Sequence, residues 1–250
     1  LSYNRVTGIG EDKNGDLWIT TQFGFNRYNR KTNDFTRIPV DTSKKNILVA
    51  NSLAHIYIDD AGIIWIGTFN YGLLKYNPSE NKFTRYCYEE GNKNSITSNY
   101  INCITEDNNG NLLLATGHGL NIFDKNSGKV TEVYKSGKKY SSLNVDQVLY
   151  VYSDEDGIIW LGTYGGGLNK LDRKNKTVQY YSEKEGLPNN VVYGMLPDET
   201  GNLWLSTNKG LVRFKKSTGK MRVYDPSDGL QSYEFNSNAF YKSRNGEMYF

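Results

Sequence analysis

Proline is scarce in this sequence, 5 of 250 residues, and cysteine and histidine occur only twice each. Two cysteines (Cys87, Cys103) and two histidines (His55, His118), far apart in the chain, do not make a structural zinc set. No run approaches the roughly 18 apolar residues that a membrane helix needs, so this segment is not expected to touch a membrane. Charge of one sign is also lacking. Thirty Lys and Arg stand against 27 Asp and Glu, net +3, and the cations are scattered rather than striped, which argues against nucleic acid as a partner. There is no Gly-rich phosphate loop, no Ser–His–Asp arrangement and no paired-carboxylate motif. No catalytic residue, cofactor or metal is therefore expected.

What the chain does have is glycine, 25 residues, and aromatics, 14% of the chain with 20 Tyr. That mixture suits short strands joined by Gly-based turns and packed through Tyr and Trp, and it argues against a helical protein.

The glycines repeat. Gly15, Gly62, Gly110, Gly157, Gly201 and Gly246 are 47, 48, 47, 44 and 45 residues apart. Three residues before the first five stand Asp12, Asp59, Asp107, Asp154 and Asp198. Three residues after them stand Trp18, Trp65, Leu113, Trp160 and Trp204, followed by Thr21, Thr68, Thr116, Thr163 and Thr207. A Gly plus an apolar residue comes next, as in Gly72-Leu73 and Gly167-Leu168. In the third copy four extended runs are legible: Tyr100–Glu106, Leu112–Thr116, Leu120–Asp124 and Val130–Tyr134. Asp-x-x-Gly between the first two reads as a tight hairpin turn.

Four antiparallel strands every 44–48 residues is the period of a β-propeller blade. The fold expected is all-β, with blades at about 1–45, 46–93, 94–141, 142–185 and 186–230 and a partial blade at 231–250. These form a single propeller segment. Because a ring ending mid-blade leaves strands unpaired, five and a half blades of a larger, seven-bladed ring are expected. With first strands innermost and last strands outermost, Cys87 and Cys103 stand too far apart to bond and are read as free thiols.

The unit Asp-x-x-Gly-x-(Leu/Ile)-Trp-(Ile/Leu)-Gly-Thr-x-x-x-Gly-Leu resembles the two-component regulator propeller repeat, most closely at Ile63 to Thr68 and Ile159 to Thr163. Leu113-Leu114-Ala115-Thr116 lacks the Trp, and Thr20 and Ser206 replace its Gly. The run Asp228-Gly229-Leu230 through Asn236, then Gly246 to Phe250, looks like the terminal repeat of periplasmic sensors in hybrid two-component systems. The resemblance implies an ectodomain of an inner-membrane protein that senses a small glycan. It also implies further blades, an immunoglobulin-like domain, a possible homodimer and a downstream histidine kinase. The segment itself is then no enzyme.

Ligand contact is expected at one mouth, from the loops between second and third strands: Gln22, Phe23, Phe69, Asn70, Tyr71, His118, Tyr164, Asn208 and Lys209. Flat aromatics beside amides suit a sugar, though the same residues could simply pack on adjacent loops. Asn4, Asn51, Asn99, Asp146 and Asn190, eight residues before each turn Asp, form a second candidate set. Capping of the turn that leads into each strand is the competing reading for these. A lyase-like or quinoprotein-like propeller enzyme and a protein-binding scaffold are the alternative functions, since the fold hosts all three.

Overall fold

The structure, a computed structural model, describes residues 1–39, 52–137 and 142–250. These form two compact units, residues 1–117 with 121–133 and residues 118–120 with 134–250. The first unit holds three sheets. One is β1 (Val6–Glu11), β2 (Leu17–Thr21), β3 (Gly24–Asn29) and β4 (Asp34–Ile38). The next is β5 (Leu53–Ile58), β6 (Ile64–Thr68), β7 (Leu73–Asn77) and β8 (Lys82–Tyr86). The third is β9 (Ile101–Glu106), β10 (Leu112–Thr116), β11 (Gly119–Asp124) and β12 (Lys129–Tyr134). The second unit holds β13 (Val148–Ser153), β14 (Ile159–Thr163), β15 (Leu168–Asp172) and β16 (Thr177–Tyr181), then β17 (Val192–Pro197), β18 (Asn202–Thr207), β19 (Gly210–Lys215) and β20 (Met221–Tyr224). A two-stranded piece, β21 (Tyr241–Lys242) and β22 (Met248–Tyr249), follows.

Every sheet pairs its strands in chain order and antiparallel, so each is one blade of a β-propeller. The expected strands of the third copy are met to within a residue. Among the described residues helix is confined to two three-residue turns, Glu183–Glu185 and Pro226–Asp228, each ending on a left-handed Gly (Gly186, Gly229). The Asp228-Gly229-Leu230 feature therefore has a counterpart at Glu185-Gly186-Leu187, one blade earlier.

The recurring Asp organises each first turn. Asp59 Oδ1 accepts the Ala61 and Ile63 N–H groups at 3.0 and 2.9 Å, while Oδ2 accepts the Trp65 indole N–H at 2.9 Å. Asp12, Asp154 and Asp198 do the same for Trp18, Trp160 and Trp204 at 2.8, 2.9 and 3.2 Å. Where Leu113 replaces Trp, the Asn111 amide donates to both oxygens of Asp107, at 3.3 and 3.2 Å, as the Asn202 amide does to Asp198 beside the Trp204 indole. One carboxylate thus fixes the turn and aims the ring six residues on.

Those rings are what the blades share. In the first unit Trp18 lies 5.7 Å from Tyr76 and Trp65 lies 5.9 Å from Phe123 of the following blade. In the second, Trp160 lies 5.5 Å from Phe214. Such pairs add about 0.5–1.5 kcal/mol each beyond their area burial. Over each Trp a cation of the neighbouring third strand is stacked: Arg27, Lys75, Lys170 and Arg213, at 5.3–5.9 Å. Inner strands abut in succession, β1 on β5 on β9 and β13 on β17. Fourth strands face water. Cys103 is buried in β9, Cys87 follows β8, and both are free thiols.

Blade approach also explains the Gly of Ile-Gly-Thr and Leu-Gly-Thr. A Cβ on Gly67 would stand 3.0 Å from the Ile101 carbonyl, and one on Gly162 2.6 Å from that of Val192, both on the next blade's first strand. Across the hairpin these glycines face His55 and Tyr150. The corresponding pairs elsewhere are Gly8–Thr20, Cys103–Ala115 and Gly194–Ser206. Each pair carries at least one small residue, and the large side chains fall opposite Gly.

Candidate functional site: the loops between second and third strands

Each loop is anchored by the repeated Thr, fully buried in every blade. Thr21, Thr68, Thr163 and Thr207 donate Oγ1–H to the carbonyls of Gly24, Gly72, Gly167 and Gly210 at 2.8–3.1 Å. At Gly167 the backbone takes φ 73°, and a Cβ would sit 2.1 Å from the Tyr181 carbonyl, so only Gly fits. Loop ends are therefore rigid, while the residues between them vary.

The second candidate set is engaged with backbone. Asn99 Oδ1 accepts the Tyr88 N–H at 2.8 Å, Asp146 Oδ1 that of Ser136 at 2.6 Å, and Asn190 Oδ1 that of Glu183 at 2.9 Å. Their carbonyls accept the N–H groups of Gly72, Gly119 and Gly167 at 3.0, 2.7 and 2.8 Å. Each residue thus closes its own lead-in segment and holds the neighbouring loop. Asn4 is exposed, and Asn51 lies outside the described residues.

In the first unit the loop residues Gln22, Phe23, Phe69 and Tyr71 are half-buried and Asn70 is exposed. Phe23 meets Tyr3 edge-on at 4.5 Å, and Phe69 lies 5.3 Å from Tyr100. The Arg85 guanidinium stands 5.6 Å over the Tyr71 ring while its Nε–H donates to the Tyr71 carbonyl at 2.8 Å. Tyr3 and Tyr100, 43% and 37% exposed, were not among the sequence candidates. Tyr100 follows Asn99, at a place where the other copies have Arg5, Ser52, Gln147 and Val191, and that variability was the available signal. In the second unit His118, Tyr164 and Lys209 are exposed and Asn208 is half-buried. Tyr164, 54% exposed, donates its backbone N–H to Gln147.

His55 is not in these loops. Its Nδ1 accepts the Ile104 N–H at 3.3 Å, and desolvation lowers its pKa to about 4, which keeps the ring neutral between two first strands. On the opposite end of the second unit a groove of about 340 Å³ lies between two blades, where Lys216 pairs with Asp154 at 3.1 Å and Lys170 covers Trp160. Among the described residues no group of three His, Cys, Asp or Glu side chains could hold a metal ion.

A fold of Asp–Trp-clamped blades with variable loops defines a repeat propeller, and its relatives specify which kind. Residues 1–23, 95–118, 142–165 and 186–209 match the two-component regulator propeller family. Those four stretches are two-component regulator propeller repeats. All of it aligns, at 30% identity over 300 positions, with histidine kinase P4 of Formosa agariphila, of which it spans 22%. An extracellular domain of a hybrid two-component system of B. thetaiotaomicron has the same fold with TM-score 0.80 and 27% identity, over 99% of this chain and 32% of that one. Virginiamycin B lyase of Staphylococcus aureus shares the fold at 15% identity, with TM-score 0.65 over 88% of this chain and 69% of the lyase.

Proposed function

We propose that this chain is a ligand-sensing segment of a hybrid two-component sensor, periplasmic, recognising an oligosaccharide and passing the signal to a downstream kinase. The observation that carries the reading is the likeness over nearly the whole chain to an extracellular domain of such a system. Support for a sugar comes from exposed or half-buried rings, Tyr3, Phe69 and Tyr100 in the first unit and Tyr164 in the second, and from the amides and the lysine that the same loops carry (Asn70; Asn208, Lys209). Further blades, an immunoglobulin-like domain and a second copy are the partners that go with this reading. A ligand would act by binding one arrangement of the sensor better than another.

Calorimetric titration against a panel of neutral oligosaccharides tests it. Saturable binding with the sugar recovered intact is the expected result. A panel without a binder, or release of a cleaved product, overturns the proposal, and the second outcome would favour a lyase-like propeller.

A further inference from the structure

Blade by blade, the outer strands follow rules that the last complete blade breaks. The residue closing the third strand is Asn29, Asn77, Asp124 or Asp172, and its side chain accepts the backbone N–H of Lys31, Ser79, Asn126 or Asn175. In β19 that place is taken by Lys215, and backbone bonds from Thr218 and Gly219 to its carbonyl hold the turn instead. The cation stacked on each Trp faces a neutral residue across the outer hairpin: Arg27 pairs with Thr36, Lys75 with Thr84, Lys170 with Gln179. In the last complete blade Arg213 faces Arg222. Like charges directly opposite repel, and each arginine is held by partners of its own: Arg222 stacks 4.5 Å over the Tyr224 ring and Arg213 lies 5.9 Å over Trp204.

The exceptions converge. Lys215 stands two residues from Arg213 and so on the same face, and its N–H bonds the carbonyl of Lys220, which puts Lys220 opposite it. Two pairs of opposed cations therefore lie about 7 Å apart along the strands. All four line one groove of about 440 Å³. Two acids stand at its rim: Asp198 is 3.5 Å from Arg213 and Asp228 is 3.9 Å from Arg222. Among the described residues, neither Lys215 nor Lys220 makes an ion pair. Lys215, Lys220 and Arg222 are exposed. The places of Lys220 and Arg222 are likewise exposed in the first and fourth blades, which a following blade flanks (Asp34 and Thr36; Thr177 and Gln179), while those of Arg213 and Lys215 are half-buried there (Arg27 and Asn29; Lys170 and Asp172).

We propose that Arg213, Lys215, Lys220 and Arg222 form a binding site for a ligand carrying two sulfate or phosphate groups, distinct from the loop site. Arginine forks bind such oxyanions with two parallel hydrogen bonds, and the flanking lysines add point charge. An anion lying between the opposed arginines offsets their mutual repulsion.

The test is calorimetry at low salt with tripolyphosphate, orthophosphate and a disulfated disaccharide as probes. The variant is Lys215→Asn with Arg222→Thr, which restores residues that other blades carry at those places. Tripolyphosphate or the disulfated sugar is expected to bind at least about tenfold tighter than orthophosphate. The double variant is expected to lose at least about tenfold of that affinity, with a thermal midpoint unchanged or raised. A tighter disulfated sugar assigns the anion to a glycan, and tighter tripolyphosphate assigns it to a free polyphosphate. No saturable heat with any probe, or affinity that survives the double variant, overturns the site. Binding of neutral oligosaccharide, measured on the same variant, reports separately on the loops.

Discussion

Asp59 makes three hydrogen bonds from a buried position, two to its own turn and one to the Trp65 indole. Lys125 of the next blade adds a cation 3.8 Å away. Asp59→Ala leaves two turn N–H groups and an indole N–H without their acceptor, at about 1–3 kcal/mol for each buried orphan. Urea unfolding should show a loss of several kcal/mol, and Asp59→Asn a smaller one. The acids also set the response to pH. At Asp198 burial pushes the carboxyl upward, but bonds from Asn202, Thr200 and Trp204 outweigh it and hold the pKa well below the usual carboxylate range. A group depressed in the folded state gives stability that is full above its unfolded pKa and fades as the pH falls through it. His55 acts in the same direction at higher pH, since its folded pKa of about 4 lies below the unfolded value of 6.5. Protons then favour the unfolded chain between those values. The urea midpoint should fall as pH drops from about 6.5 to 4, and His55→Tyr, which installs the residue of the fourth blade, should flatten that part of the curve.

At the scale of the element, the hairpin of first and second strands is limited by its distance to the next blade. Gly162→Ala puts a methyl group 2.6 Å from the Val192 carbonyl, a backbone atom that cannot rotate away. A loss of about 1–3 kcal/mol is expected in thermal or urea unfolding. Shortening the facing Tyr150 to Ala should not rescue it, because the clash is with the neighbouring blade and not with the cross-strand partner. The same elements show what was legible beforehand. Asp, Gly and Thr recur because each makes a contact that every complete blade uses, and Trp in four of five, so period, strand count and turns could be read from a single chain. What could not be read was the use of the oxygens, for instance that the Asn111 and Asn202 amides donate to both oxygens of Asp107 and Asp198. Pairing across strands was equally hidden. Arg213 and Arg222 are nine residues apart and face each other only through the register of β19 and β20. The polar residues before each first strand were visible as a set, yet their bonds to Tyr88, Ser136 and Glu183 depend on loop paths that no local pattern encodes.

For the whole molecule the question is how one repeated frame keeps stability apart from recognition. The buried Thr, the left-handed Gly and the polar lead-in residue hold the loop ends, and the side chains between them carry little of the fold. Substitutions should therefore divide into two kinds. Asn190→Ala removes the acceptor of the Glu183 N–H and so should lower the thermal midpoint by a few degrees. Its affinity for a neutral oligosaccharide, once a binder is in hand, should hold. Tyr164→Ala, at a ring 54% exposed, should leave the midpoint within about a degree and weaken the same sugar roughly tenfold or more. If Asn190→Ala instead abolished binding at unchanged stability, the lead-in residues would be ligand groups and the loops their support. Measuring both variants by calorimetry and thermal unfolding separates the two arrangements, because each predicts the opposite pairing of affinity with stability.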